Sequence, residues 1–143
     1  LEKSRGRCFK NIGVVYIDLN GLKQINDERG HEAGDSFIRR AAQQIVAVFP
    51  EHTYRIGGDE FVVFIYPCSS VAAIEQKIQK ISERYLRKIE QEYPLSRSSL
   101  SFGGVKYNRT TSFLELYKRA DQVLYKVKHN CKGQFKIVEM KTE

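Results

Sequence analysis

Apolar and polar residues follow one another along this chain in patterns that predict strands and helices in turn. A nearly continuous apolar run at residues 11–18 is typical of a strand buried on both faces. At residues 36–49 and 71–92 the apolar residues are three or four positions apart, which is the spacing of a helix with one buried face. The predicted order is β-α-α-β-β-α-β-α-β, with strands at residues 11–18, 53–56, 61–66, 101–107 and 135–140 and helices at residues 21–29, 36–49, 71–92 and 112–128.

Two glycine pairs mark special backbone positions. Gly57 and Gly58 separate the second and third predicted strands, and they predict a hairpin because a two-residue turn needs backbone angles that glycine adopts without strain. Gly103 and Gly104 lie inside the fourth predicted strand. They predict either a bulge or the close approach of another backbone segment.

The mixture of hairpins and helical crossovers predicts a mixed, largely antiparallel sheet. The expected fold is one α+β domain over residues 1–143, ferredoxin-like or palm-like, with a central sheet of about five strands flanked by helices. Thr111 or Ser112 is expected to cap the last helix. A chain of 143 residues is long enough to bury one such core.

Composition narrows the class of protein. No stretch of 18 or more apolar residues occurs, so this segment is not expected to contact a membrane. Cys8, Cys68 and Cys131 are spaced too widely for a disulfide framework or a paired zinc motif, and free thiols favour the cytoplasm. The chain begins with Leu1, so we expect the C-terminal segment of a longer sensor protein. We expect this segment in the cytoplasm whether or not the full-length protein is anchored in a membrane.

The formal net charge of +7 indicates an anionic ligand. One basic group lies on the third predicted helix and is interpreted as a solvated helix face: Lys77, Lys80, Arg84, Arg87 and Lys88. A nucleic acid is not the expected partner, because the aromatic-rich strand typical of RNA-binding domains with a ferredoxin-like fold does not occur.

Three carboxylates lie at predicted strand ends. Asp18 ends the first strand, and Asp59 and Glu60 follow the glycine pair of the hairpin. If the strand and the hairpin are neighbours, these side chains repel one another unless a cation balances them. Oxygen ligands of this kind suit Mg²⁺ or Mn²⁺. The alternative is that Asp59 and Glu60 are only polar turn residues, and the residue pattern alone leaves both interpretations open.

Further motifs then occur in the order and spacing of a known family. Residues 55–61 have the sequence Arg-Ile-Gly-Gly-Asp-Glu-Phe, and the preceding segment carries Asp18, Lys23, Asn26-Asp27, Gly30-His31 and Gly34-Asp35. The chain resembles the GGDEF family of diguanylate cyclases from residue 11 to residue 135. Members of this family condense two GTP molecules into cyclic di-GMP, a bacterial second messenger, and release two pyrophosphates.

The resemblance implies a metal-dependent nucleotidyltransferase that works as a homodimer, since each domain holds one GTP and two domains meet face to face. It implies Mg²⁺ or Mn²⁺, two ions per active site, with Asp18, Asp59, Glu60 and the backbone carbonyl of Leu19 as ligands. Asp59 matches the position that activates the ribose 3′-hydroxyl. Glu60 and Lys23 are the other expected catalytic residues.

The resemblance also implies a set of substrate-binding residues: Leu22, Lys23, Asn26, Asp35, Gly58, Lys128 and Lys132. Asn26 and Asp35 match the pair that recognises guanine, because Asp35 accepts hydrogen bonds and Asn26 both donates and accepts them. The lysines match positions that contact phosphates. Gly58 lets the turn pass close to the substrate. For Asp35 the alternative is a helix cap in front of Ser36.

Three departures from the family pattern bear on function. Asn20 stands where a second Asp is frequent, which puts its share of metal binding in doubt. Lys132 stands where Arg is usual and lacks the planar guanidinium fork. Residues 48–51, Val-Phe-Pro-Glu, replace an Arg-x-x-Asp product-binding motif, so product inhibition through that site is not expected.

Two rival functions remain at this point. One is a catalytically weak GTP-binding regulatory module, against which the intact Gly-Gly-Asp-Glu-Phe run argues. The other is a cyclic dinucleotide synthase that also accepts ATP, against which Asp35 argues because it suits the donors of guanine.

Overall fold

The computed structural model describes residues 8–9, 11–108, 110–130 and 133–140. The elements are β1 (Cys8–Phe9), β2 (Ile12–Asn20), α1 (Leu22–Arg29), α2 (His31–Val48), β3 (Thr53–Arg55), β4 (Glu60–Ile65), α3 (Val71–Glu92), β5 (Ser99–Tyr107), β6 (Thr111–Ser112), α4 (Phe113–Asn130) and β7 (Phe135–Met140). Every predicted element is present in the predicted order. The paired strands β1 and β6 were not predicted, because runs of two residues carry no periodicity.

A five-stranded sheet of order β3-β4-β2-β5-β7 forms the centre of the domain. Its pairs are antiparallel except for β5 with β7, which is parallel. The predicted mixed, largely antiparallel sheet is therefore confirmed. Since β2 is the middle strand, its end is flanked on one side by the β3–β4 hairpin and on the other by the start of β5.

The side chains of β2 alternate between two hydrophobic cores, as the period of a strand requires. Val15 and Ile17 belong to the core beneath α2 and α3, whereas Val14 and Tyr16 belong to the core beneath α4. Asp18 continues the second series. The alternation therefore directs the one carboxylate of β2 toward the α4 side of the sheet.

Helix α4 packs closely on the sheet because β5 has a glycine beneath it. A Cβ added at Gly103 would lie 2.2 Å from the backbone nitrogen of Leu124. The β2–β5 ladder runs without interruption past this residue. Of the two expectations for the glycine pair, the close backbone approach is confirmed and the bulge is wrong.

The predicted bounds of α3 agree with the structure, and its start is capped by Ser70, whose Oγ accepts a hydrogen bond from Ala73 N at 3.1 Å. At α4, the Oγ of Ser112 accepts from Glu115 N at 3.3 Å, so Ser112 is the predicted cap. Among the described helices, none has both the length and the apolar content needed to cross a bilayer.

Two local predictions were wrong. Helix α2 begins at His31 rather than at Ser36, so Asp35 lies inside the helix and is not its cap. The hairpin is closed by a bond from Ile56 N to Glu60 O at 3.0 Å, which leaves Gly57, Gly58 and Asp59 between them. This connection has three residues, and neither glycine has a positive φ.

Candidate active site

The end of β2 and the β3–β4 hairpin form the frame of the site. Asp18 is paired with Glu60 across the two strands, and Leu19 N donates to Asp59 O at 2.9 Å. Arg55 holds the turn in shape, because its Nε donates to Gly57 O at 3.0 Å and its Nη2 to Gly58 O at 2.9 Å. This positioning role of Arg55 was missed in the sequence, although the residue belongs to the signature.

Asp18 is buried, with 3% of its surface exposed, and it forms an ion pair with the Nζ of Lys128 on α4. Burial raises the pKa of Asp18, and the charges of Asp59 and Glu60 raise it too, while the hydrogen bond from Lys128 lowers it. The same hydrogen bond raises the pKa of Lys128. The site therefore carries excess negative charge that one ammonium group partly balances.

The expected three-carboxylate cluster forms only in part. Asp59 and Glu60 are close enough to Asp18 to shift its pKa. Yet within the described ranges no group of three or more His, Cys, Asp or Glu side chains is arranged to hold a metal ion. The donor set still fits a hard divalent cation in chemical terms, since it consists of carboxylate oxygens that repel one another around a buried Asp18.

A cavity of about 430 Å³ opens beside this frame. Six of the predicted site residues line it: Asp18, Leu19, Leu22, Lys23, Asp59 and Lys128. Asn26, Asp35, Gly58 and Glu60 do not line it, and Lys132 lies outside the described residues. The structure thus brings two of the three predicted carboxylates and two of the three lysines predicted to contact phosphates to one cavity, whereas the predicted guanine-binding pair does not line it.

Asn26 has an unsatisfied polar atom. Its Oδ1 is buried and has no hydrogen-bond partner. Gly34 of α2 makes room for it, because a Cβ at Gly34 would lie 1.8 Å from that oxygen. A buried acceptor without a partner costs about 1–3 kcal/mol, which a ligand N–H would recover. Asp35 is exposed in the next position of α2.

Asn20 belongs to a hydrogen-bond network at the opposite side of the strand end. Its Nδ2 donates to Ser99 Oγ at 3.0 Å and to Ser101 Oγ at 2.8 Å. Ser101 Oγ also accepts from Gly133 N at 2.9 Å. Ser98 Oγ donates to Asn20 O at 3.0 Å. The serines were predicted as loop and strand residues only, so sequence reasoning missed this network.

Tyr16 lies beneath the hairpin and was not among the predicted site residues. Burial is the main reason that the pKa of Tyr16 is raised, and its interactions with Tyr117 and Glu60 raise it further. The rings of Tyr16 and Tyr117 are 5.5 Å apart. The raised pKa keeps the Tyr16 hydroxyl protonated in the neighbourhood of Glu60. The period-two position of Tyr16 relative to Asp18 is the sequence signal that could have found it.

Comparison with known sequences gives consistent matches. A family profile described as "Diguanylate cyclase, GGDEF domain" matches residues 1–134. A diguanylate cyclase of Vibrio cholerae is 30% identical over 144 aligned positions, covering 96% of this chain and 43% of that protein. Signaling protein YkoW of Bacillus subtilis is 29% identical over 130 residues, covering 88% of this chain and 16% of that protein. The chain spans less than half the length of these two relatives.

Solved structures match the fold. The GGDEF domain of TpbB (YfiN) from Pseudomonas aeruginosa superimposes with a TM-score of 0.73 at 26% identity, covering 92% of this chain and 77% of that one. The GGDEF domain of DgcB from Caulobacter crescentus, solved in complex with c-di-GMP, gives a TM-score of 0.73 at 22% identity and covers 92% and 78%. The second likeness concerns the fold alone. The predicted palm-like α+β architecture is confirmed.

Proposed function

The chain belongs to the GGDEF family of diguanylate cyclases, and from this premise we propose that it condenses two GTP molecules into cyclic di-GMP with release of pyrophosphate. One observation carries the proposal. The pairing of β2 with β4 brings Asp18 and Asp59 to the same cavity as Lys23 and Lys128. Acidic and basic groups in one cleft suit a substrate that combines a triphosphate with a reacting hydroxyl.

Asp18, Asp59, Glu60 and the carbonyl of Leu19 would hold Mg²⁺ or Mn²⁺, two ions per site as the family resemblance implies. Such ions, when bound, neutralise triphosphate oxygens and make a ribose hydroxyl more acidic. By the family resemblance, Asp59 would take the proton of the 3′-hydroxyl. Gly58 supports this arrangement, because a Cβ there would meet no protein atom within 4 Å, so the space beside it is open to a ligand.

Lys23 and Lys128, which both line the cavity, would contact the phosphates. Lys23 is exposed, and the Lys128 side chain is 39% exposed although its ammonium is bonded to Asp18. A side chain with that exposure can turn its ammonium to a phosphate when another cation takes its place beside Asp18. Lys132 is assigned to the phosphates on the family resemblance only.

Guanine recognition is assigned to Asn26 and Asp35. The unsatisfied Oδ1 of Asn26 supports this role, since guanine offers N–H donors that adenine lacks at the same edge. Asp35 does not cap α2, which was the alternative role considered for it, and its side chain is exposed. Neither residue lines the cavity at the strand end, but Asp27, next to Asn26, does, which suits a nucleotide extended from its phosphates to its base.

Catalysis would need two domains, each holding one GTP, in a homodimer. The cytoplasm is the proposed location, and the free, buried thiol of Cys68 agrees with a reducing compartment.

The direct test is incubation of the purified chain with GTP and Mg²⁺ or Mn²⁺, followed by chromatographic separation of the nucleotides. We expect cyclic di-GMP and pyrophosphate, and we expect Asp59→Ala to lose nearly all product while keeping its unfolding midpoint. ATP serves as the matched substrate control. Binding of GTP without product at high protein concentration would instead identify a regulatory module.

A further inference from the structure

A second cleft lies between α2 and α3 and has a volume of about 500 Å³. It shares no lining residue with the candidate active site. Nor does it share one with a smaller cavity at residues 48–52 and 64–67, where the family's product-binding motif is replaced. Four cations line the cleft, Lys80, Arg84, Arg87 and Lys88, against one carboxylate.

The four cations are neighbours on one side of α3. Lys80 and Arg84 are four positions apart, as are Arg84 and Lys88, and Arg84 and Arg87 are three apart. Like charges at these spacings destabilise a helix. None of the four forms an ion pair with a residue in the described part of the chain. Glu92 at the end of α3 is ion-paired with Arg40 at 2.8 Å. Its pKa is lowered mainly by that contact and further by the charge of Lys88, so Glu92 balances Lys88 only in part.

Arg84 is already oriented. Its Nε donates to Gln44 Oε1 on α2 at 2.9 Å, which fixes the guanidinium across the cleft between the two helices. The terminal amino groups of Arg84 remain available as donors. A guanidinium anchored on one side and open on the other is suited to the paired oxygens of a phosphate. This contact distinguishes the cleft from an ordinary solvated helix face, which was the interpretation from sequence.

We propose that the α2–α3 cleft binds a small anion that carries two or more phosphate groups. Its volume is in the range of small-molecule sites. Lys80 and Lys88 are eight positions apart, so the charges extend over about 12 Å along the helix, which suits linked phosphates better than a single one. A membrane surface fits less well, because Leu86 is the only exposed large apolar residue on α3.

The test uses inorganic tripolyphosphate as the probe, titrated into ¹⁵N-labelled chain with EDTA present, so that metal-dependent binding at the active site is suppressed. We expect saturable, one-to-one shifts of the amide signals of residues 80–91. ATP in a second titration distinguishes a nucleotide from inorganic phosphate as the source. Binding only to RNA or to phosphatidylserine vesicles, with no saturable binding of tripolyphosphate, would overturn the proposal.

Arg84→Ala with Arg87→Ala should weaken binding about tenfold or more. The matched control is Lys118→Ala with Arg119→Ala, which removes the same charge from exposed positions of α4. If both double variants weakened tripolyphosphate binding equally, the effect would be due to net charge alone and the proposed site would be rejected. Arg84→Lys with Arg87→Lys keeps the charge, so a loss of affinity there would identify the guanidinium geometry, and circular dichroism checks that each variant is folded.

Discussion

Asn20 shows how a single residue can depart from a family pattern and still serve the site. An Asp at this position would add charge beside Asp18, but the amide instead donates two hydrogen bonds to Ser99 and Ser101. Through Ser101 it is linked to the backbone of Gly133, which directly follows the predicted phosphate-binding segment. Asn20 therefore lacks the carboxylate that could bind a metal, but its hydrogen bonds connect β2, β5 and Gly133 after α4.

We expect Asn20→Ala to lose about 1–3 kcal/mol of unfolding free energy, because two part-buried hydrogen bonds disappear. Asn20→Asp should remain folded, since both serine hydroxyls can donate to a carboxylate. It should also lower the Mg²⁺ concentration needed to bind a non-hydrolysable GTP analogue. Urea unfolding and a metal titration measure the two effects. A need for more Mg²⁺ in Asn20→Asp would contradict the expected charge effect.

Gly34 and Gly58 are expected to serve different purposes, the first in folding and the second in substrate binding. Gly34→Ala would place a Cβ 1.8 Å from Asn26 Oδ1, so we expect a lower unfolding midpoint together with weaker GTP binding. Gly58→Ala meets no protein atom within 4 Å, so we expect an unchanged midpoint and a loss of GTP turnover. Thermal unfolding and GTP kinetics of the two variants check this contrast. Full activity in Gly58→Ala would contradict the proposal that the substrate passes close to this residue.

At the scale of elements, the apolar period predicted the bounds of helices that pack regularly on the core. It failed where a contact with a residue distant in sequence determines the start of a helix. The bounds of α3 followed from its regular apolar face, and the structure adds the cap at Ser70. The start of α2 did not, because residues 31–35 have no apolar period. That turn is helical where Gly34 packs against Asn26 of α1, a contact that no local pattern contains. The same holds for the ion pair of Lys128 with Asp18, which joins α4 to β2 across the domain.

The contact of α4 with β5 should therefore affect both the stability of the domain and the position of Lys128 in the candidate active site. In Gly103→Ala the new methyl group would lie 2.2 Å from Leu124 N, and overpacking of this kind costs about 1–3 kcal/mol. Because Lys128 is one turn further along α4, we expect GTP turnover to fall as well. Urea unfolding and initial rates test this, with the exposed Lys118→Ala as control. An unaltered stability would mean that α4 shifts away without cost.

At the scale of the whole molecule, the two faces of the sheet contribute differently to the core and to the candidate site. Helices α2 and α3 cover one face and form the larger core, whereas α4 covers the other and brings Lys128 to the strand end. The sequence predicted most of the cavity residues because residue type and strand ends are visible in it. It could not predict that Lys128 balances Asp18, since side-chain pairing depends on how far α4 lies from the sheet.

In the described part of the chain, the predicted catalytic residues Lys23 and Asp59 line the same cavity, while the proposed product joins two nucleotides. We therefore expect the initial rate to rise with nearly the square of the protein concentration while most domains are monomeric, and linearly once dimers dominate. Sedimentation on the same samples gives the dimer fraction for comparison. Mixing active chain with an excess of Asp59→Ala should depress the rate per active chain, because mixed pairs then form. A rate strictly proportional to concentration throughout, with only monomers sedimenting, would show that one domain suffices.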